Sequence, residues 1–261
     1  MTKCVLTIAA SDPSGGAGIE ADLKVFSAHR LFGLTAITAI TVQDTASVRS
    51  VHPVEPAVFR HVLEHLRLDQ PLAAIKIGAL SSLAHLEAVH DFLASFNPRP
   101  AVVFDPVIRA SSGAWLCGLD AVEKFPALIF PWVTLLTPNA VEAGMLTGTK
   151  VNSREAQAAA AQALARLGPE AVLVKGGHMP RDSHDVLCHR GQTTEWPNDL
   201  LPRQFHGTGC ALSAAIASQL ALGADLPTAV VKARAYLRLA MQRARPGAGE
   251  VYILDFPPAE E

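Results

Sequence analysis

The sequence predicts an α/β fold: a mainly parallel sheet covered by helices on both faces. Two observations predict it. Short β-rich apolar runs alternate with segments of helical periodicity along the chain. That rhythm is the one that places crossover helices on both faces of a parallel sheet. The ends of the runs collect the unusual residues, Ser11-Asp12-Pro13, Gln43-Asp44, Gly78, Asp105-Pro106, Pro138-Asn139 and Lys175-Gly176-Gly177. In open parallel sheets ligands bind at those carboxyl ends.

Residues 4–10, CVLTIAA, read as a buried strand by length and β-branched content. Residues 18–31 carry Ile19, Leu23, Phe26 and Leu31 near helical spacing, and 34–43 return to strand. Residues 57–68 predict a helix with Val58, Val62, Leu63 and Leu66 on one face. A strand over 73–80 and a helix over 83–96 follow, before NPRP at 97–100 breaks the pattern. Strands over 101–107 and 133–139 stop at Pro106 and Pro138. The Ala-rich helix over 155–168 has Ser153 as N-cap and Gly168 as its stop. A strand covers 171–177, and short polar strands and loops fill 185–205. Helices after Gly209 and over about 226–243, then a strand over 250–256, complete the pattern. Residues 1–256 read as a single domain and 257–261 as a frayed tail.

The bulk composition narrows the function. The chain has 261 residues, 49% hydrophobic, enough for one sizeable core. With 22 Lys and Arg against 24 Asp and Glu, it has no basic excess to suggest a nucleic-acid or membrane-surface partner. The apolar start is only a strand's length and meets Asp12-Pro13, so no signal peptide is expected there. The longest membrane-span candidate, 208–223, is interrupted by Ser213, Ser218 and Gln219. Cys4, Cys117, Cys188 and Cys210 show no CxxC spacing, which argues against structural zinc and a disulfide framework. Reduced thiols and a cytoplasmic location are expected.

Gly207-Thr208-Gly209-Cys210 stands before a helix. Two glycines and the free N–H groups of a helix start make an anion cradle, and the plain turn is the alternative. A helix N-terminus also lowers a thiol's pKa, so Cys210 is read as a thiolate proton acceptor or nucleophile. A cysteine hydrolase needs His206 or another histidine as partner base, plus an orienting third group, and nothing in the sequence brings His206 within reach of Cys210. Asn139 and Glu142, three apart on a first helical turn, are either a capping box or an acid positioned for hydrated Mg²⁺ near phosphate. Lys175, ahead of Gly176-Gly177, reaches a phosphate or snorkels to solvent. Residues 10–22, ASDPSGGAGIEAD, form a strand, glycine-rich turn and helix without the dinucleotide-binding spacing. There Asp22 suits the helix dipole in any case.

SDPSGGAGIEADLK, KIGAL, FDPV, TPNAVEA, VKGGH and HGTGC occur in this order over roughly residues 4–240. Together they resemble the hydroxymethylpyrimidine/phosphomethylpyrimidine kinases of thiamine biosynthesis, within the ribokinase-like superfamily. The resemblance implies a three-layer αβα sandwich with a central, mostly parallel sheet. It implies transfer of the ATP γ-phosphate to 4-amino-5-hydroxymethyl-2-methylpyrimidine, and then to its monophosphate. It makes Gly207, Thr208 and Gly209 the anion hole and Cys210 the catalytic base. Lys175, Asn139 and Thr208 would serve the nucleotide, and Glu142 and Asp105 the Mg²⁺. Gln43, Asp22, Ala17, Gly78 and Val107 would line the substrate pocket, and relatives are often dimers, so a homodimer is expected.

Several positions depart from that family. Asp44 stands where an asparagine is usual and adds a charge beside the pyrimidine. Ala79 replaces a packing methionine, Ile108-Arg109 replace Met-Val, and PGAGEVYILDF replaces the usual tail motif. These changes bear on substrate choice. Alternatives are a kinase for the monophosphate alone, a pyridoxal or pyridoxine kinase, and a catalytically silent pyrimidine-binding protein. Residues 109–118, RASSGAWLCG, are the expected flap over the substrate.

Overall fold

A computed structural model describes residues 2–110, 112–177, 183–199 and 201–259. The first half holds β1 (Cys4–Ser11), α1 (Gly18–Ala28), β2 (Phe32–Gln43), β3 (Val48–Pro53), α2 (Pro56–Asp69), β4 (Leu72–Ile77), α3 (Leu83–Ala94) and β5 (Ala101–Phe104). Then come α4 (Leu119–Val122), α5 (Phe125–Leu128), β6 (Leu135–Leu136), α6 (Ala140–Thr147), α7 (Arg154–Ala165) and β7 (Ala171–Val174). The chain continues through β8 (His184–His189), β9 (Gln192–Pro197), β10 (Gln204–His206), α8 (Thr208–Leu222), α9 (Leu226–Gln242), β11 (Arg245–Pro246) and β12 (Val251–Ile253).

The main sheet has nine strands in the order β3-β2-β1-β4-β5-β6-β7-β8-β9. β2 through β7 in that order are parallel, and β3, β8 and β9 are antiparallel additions at the two edges. One face packs on α1, α8 and α9 through Val25, Phe26, Leu212, Ile216 and Val230. The other packs on α2, α3, α6 and α7 through Phe59, Leu63, Val89, Ala143 and Leu164. This is the three-layer sandwich, as expected. The strand order reverses at β1: the chain leaves it to β2 on one side and returns to β4 on the other. That switch point opens a crevice at the carboxyl ends of β1 and β4.

Four elements differ from the sequence expectation. β3 had no apolar signal, because an edge strand with exposed Arg49, His52 and Pro53 needs none. α2 buries Phe59 and Leu63, with Leu66 packed beside them, an i, i+4, i+7 stripe. Val58 and Val62 sit a step round the helix and are exposed. The 185–205 region divides: β8 and β9 form a hairpin that widens the main sheet, closed by a two-residue turn at Arg190-Gly191. Both turn residues have positive φ, 51° and 76°, as a tight hairpin demands. β10 instead joins β12 and β11 in a separate three-stranded sheet. The tail expected to fray from 257 is docked through 259: Tyr236 Oη donates to Pro257 O at 3.1 Å and Ala259 N to Ala28 O at 2.9 Å.

Candidate active site

Helix α8 starts at Thr208, one residue after the N-cap Gly207, which has φ +79°. The sequence reading had started it after Gly209. The first intrahelical bond runs from Ala211 N to Gly207 O. The N–H groups of Thr208, Gly209 and Cys210 therefore have no helical acceptor, and among the described residues no side chain caps them. Three free donors at the positive end of a fifteen-residue helix form an anion hole.

The glycine-rich loop after β1 closes over this helix start. A Cβ on Gly207 would stand 1.8 Å from Gly16 O, and one on Gly16 would stand 2.4 Å from His206 Cδ2. Asp12 ties the two segments together. Its Oδ2 accepts from Ala17 N and lies 2.8 Å from His206 Nε2, and its Oδ1 accepts from Ser14 N. Burial works against the Asp12 charge, but hydrogen bonds from His206 and Ser14 outweigh it and hold the carboxyl at about 2. Glu20 fixes the same loop through Ser11 Oγ and Asp12 N. His206 thus faces Asp12, and the His206–Cys210 pairing that a cysteine hydrolase could use does not form.

Cys210 is the third residue of α8 and meets the first residue of α1, whose Gly18 N–H is directed at the thiol. The expected lowering of its pKa does not occur. Burial pushes the thiol up to about 11, opposed by the Lys76 ammonium and the Gly18 N–H and reinforced by Asp22 and Asp105. A helix terminus does not outweigh desolvation at this depth.

Beside the anion hole, Lys175 Nζ lies 2.6 Å from Asp105 Oδ1. A Cβ on Gly209 would come within 3.1 Å of Lys175 Nζ and 3.4 Å of Asp105 Oδ2, so this glycine leaves the pair open to the helix start. Thr137 and Ser213 hydroxyls also donate to Asp105. Asn139 and Glu142 form a complete capping box at α6, Asn139 N to Glu142 Oε2 at 2.8 Å and Glu142 N to Asn139 Oδ1 at 2.9 Å. The box does not exclude the second role. Burial pushes the Glu142 carboxyl up to about 7, with Asp105 adding to the rise and Lys175 opposing it. Two buried carboxylates beside an anion hole fit Mg²⁺, which takes one or two carboxylates and keeps its remaining ligands as water and phosphate oxygens.

The substrate side lies at the switch point. Ala10, Ala39 and Ala79 form a small apolar cluster, with Val51, Val107 and Leu116 packed against it. Half-buried Gln43 ends β2 above it, half-buried Ala17 caps α1, and Gly78 follows β4. Asp22 is different: it is fully buried, with Oδ2 taken by Lys76 Nζ at 2.8 Å and Thr7 Oγ1 at 2.6 Å. It lies beneath the pocket and reaches it through Lys76. Asp44 is also reassigned: its Oδ1 accepts from Ala46 N and Ser47 N, and its carboxylate serves the β2–β3 turn. Leu116 N donates to Ile108 O and Ala110 N to Ala114 O, and the Arg109 guanidinium stacks 3.7 Å from the Trp115 ring centroid. Ser111 of the expected flap lies outside the described residues.

Sequence reasoning passed over Lys76 and the Asp12–His206 pair. The signal for Lys76 was present: a lone lysine inside the apolar run AAIKIGAL. Nothing local marks Asp12 and His206 as partners, since 194 residues separate them.

The raised Glu142 carboxyl has a measurable sign. Without metal or nucleotide, its contribution to stability is full below pH 4.5 and is lost as pH rises through about 7. Glu142→Gln is expected to flatten the fall of Tm over that range. A slope identical to the wild type overturns the assignment.

A model of the phosphomethylpyrimidine kinase family matches residues 12–253. The chain is 42% identical to a hydroxymethylpyrimidine/phosphomethylpyrimidine kinase of Rhizobium meliloti, over 94% of this chain and 92% of that one. It is 38% identical to a thiamine biosynthesis bifunctional protein of Geobacter sulfurreducens, over 93% of this chain and 50% of that longer protein. Among solved structures, the pyridoxal kinase of Staphylococcus aureus in complex with ADP superposes with a TM-score of 0.90 at 32% identity. That match covers 99% of this chain and 94% of the other.

Proposed function

The chain belongs to the phosphomethylpyrimidine kinase family and is a phosphotransferase of thiamine biosynthesis that uses ATP; on that premise we propose how its residues divide the work. The acceptor is 4-amino-5-hydroxymethyl-2-methylpyrimidine, and then its monophosphate. One observation carries the division of labour: the free N–H groups of residues 208–210, the Cys210 thiol and the Lys175–Asp105 pair converge at the switch-point crevice.

The pyrimidine ring packs on Ala10, Ala39 and Ala79, flanked by Val107, Gly78 and Ala17. The Gln43 amide offers one donor and one acceptor to the ring's amino group and nitrogen. The γ-phosphate lies against the N–H groups of Thr208, Gly209 and Cys210, which gather charge as it transfers. Lys175 leaves Asp105 to meet the phosphates, and Asn139 orients them with its amide. Asp105 and Glu142 would hold Mg²⁺, which would supply positive charge to neutralise the phosphates. Cys210, as thiolate, accepts the proton of the acceptor hydroxyl. A site this dependent on positioning needs little further chemistry from the protein.

We assign the protein to the cytoplasm as a homodimer, with no nucleic-acid partner. Among the described residues no helix is long and apolar enough to cross a membrane. Ile40, Val42, Val58 and Val62 are exposed apolar residues of β2 and α2 suited to pairing two copies.

Pyridoxal is the second reading, favoured by the likeness to the Staphylococcus aureus enzyme and by the space that Ala79 leaves in the pocket. A coupled assay with Mg²⁺-ATP and hydroxymethylpyrimidine, its monophosphate, or pyridoxal, each alone, tests both. Turnover of both pyrimidines is expected. Turnover of pyridoxal alone overturns the acceptor assignment, and turnover of the monophosphate alone confines the enzyme to the second step.

A further inference from the structure

Lys76 and Asp22 have no side-chain exposure, and Lys76 Nζ lies 2.8 Å from Asp22 Oδ2. Burying such a pair is costly, and well-packed apolar residues would serve the fold as well or better. Its position suggests a purpose. Lys76 is the penultimate residue of β4 at the switch point, and its Nζ lies so close to the following turn that a Cβ on Gly78 would stand 2.9 Å from it. Asp22 stands one turn after Gly18, the residue whose N–H meets the Cys210 thiol. Thr7, the strand partner of Lys76 on β1, donates to the Asp22 oxygen that holds the ammonium. Among the described residues Asp22 is the hydrogen-bond acceptor for Lys76 Nζ, and two of its three N–H donors are uncommitted there.

We propose that Lys76, tethered by Asp22, is a positioning residue for phosphoryl transfer: it is the fixed positive charge against which Cys210 carries negative charge. This rests on the reading of Cys210 as proton acceptor. In the step, the acceptor oxygen forms its bond to the γ-phosphorus as the bond to the ADP oxygen breaks. The hydroxyl proton passes to the Cys210 sulfur, and the resulting thiol returns it to solvent after product leaves. Lys76 exchanges no proton. Four charged groups face the thiol: Lys76 from β4, Asp22 from α1, Asp105 after β5 and Lys175 after β7. Lys175 is bonded to Asp105 and is drawn on by the phosphates, so Lys76 remains the cation that stays with the thiol through the cycle. Burial alone would lower its pKa, but Asp22, Cys210 and Asp105 outweigh burial and keep it charged.

Alkylation of Cys210 by iodoacetamide near neutral pH reads the thiol without reference to turnover, because Cys4, Cys117 and Cys188 are buried. Lys76→Met is expected to slow that alkylation about tenfold and to lower kcat about a hundredfold, with KM for ATP nearly unchanged. Asp22→Asn is expected to quicken alkylation, since it removes a negative charge facing the thiol, while kcat falls as the tether loosens. A merely structural pair would shift both variants the same way, and that result overturns the proposal. The double variant Lys76→Met/Asp22→Asn leaves no orphan charge and keeps the fold. A folded double variant with wild-type alkylation and kcat also overturns it. Turnover retained in Cys210→Ala would sink the proton-acceptor reading instead, and opposite alkylation responses would still report the pair's action on the thiol.

Discussion

Cys210→Ala is expected to lower kcat by about two to four orders of magnitude, the usual worth of a positioned acid–base group. ATP binding should persist. The N–H groups of Thr208, Gly209 and residue 210 are backbone, Lys175 and Asp105 are untouched, and alanine is the best helix former for an early α8 position. The wild type adds a second signature. Because burial holds the thiol near 11 in the free enzyme, the thiolate fraction grows with pH, and kcat/KM should rise through the alkaline range. In Cys210→Ala that rise should vanish. Steady-state kinetics and nucleotide binding on the same samples check it. A fall of less than tenfold, with the pH dependence intact, would move proton acceptance elsewhere.

Gly207→Ala should be the most damaging change at the anion hole. Its φ of +79° costs a residue with a Cβ about 1–2 kcal/mol. The larger problem is space: the new Cβ would lie 1.8 Å from Gly16 O, a backbone atom that cannot rotate away. The glycine-rich loop and the helix start must separate, and the three N–H groups lose their aim. Loss of such donors typically costs about 10²–10³ in kcat. We expect that loss together with a lower Tm. Gly209→Ala is the graded control. Its helical φ suits alanine, and the new Cβ meets side-chain ends rather than backbone, Lys175 Nζ at 3.1 Å and Asp105 Oδ2 at 3.4 Å. It should fold and mainly raise KM for ATP. Equal kcat losses in the two variants would argue against the close contact at Gly16.

The alternation of strand and helix was legible because parallel strands are apolar along their length and crossover helices are long. The edges were not. β3 and β9 have neighbours on one side only, so polar residues such as Arg49 and Glu195 blur the pattern. Val58 and Val62 misled the reading of α2 because hydrophobicity alone does not say which of two adjacent stripes is buried. At the site, glycines, Asn139, Glu142, Lys175 and Cys210 stood out because each breaks a local rule at a strand or helix end. The charge state of Cys210 was not legible: it depends on Lys76, Asp22 and Asp105, which three separate elements bring to the thiol. The Asp12–His206 pair was hidden for the same reason.

The Arg190-Gly191 turn has a practical consequence. Every group assigned to chemistry lies at the carboxyl edge of the sheet, where β7 hands on to Lys175. β8 runs back from that edge, and His189 pairs with Ala171, the first residue of β7. The turn therefore sits on the opposite rim, with a two-residue hairpin as its only local architecture. It is a natural place to graft a peptide label, a fluorophore or a surface tether, because the chain can be opened there without disturbing the crevice.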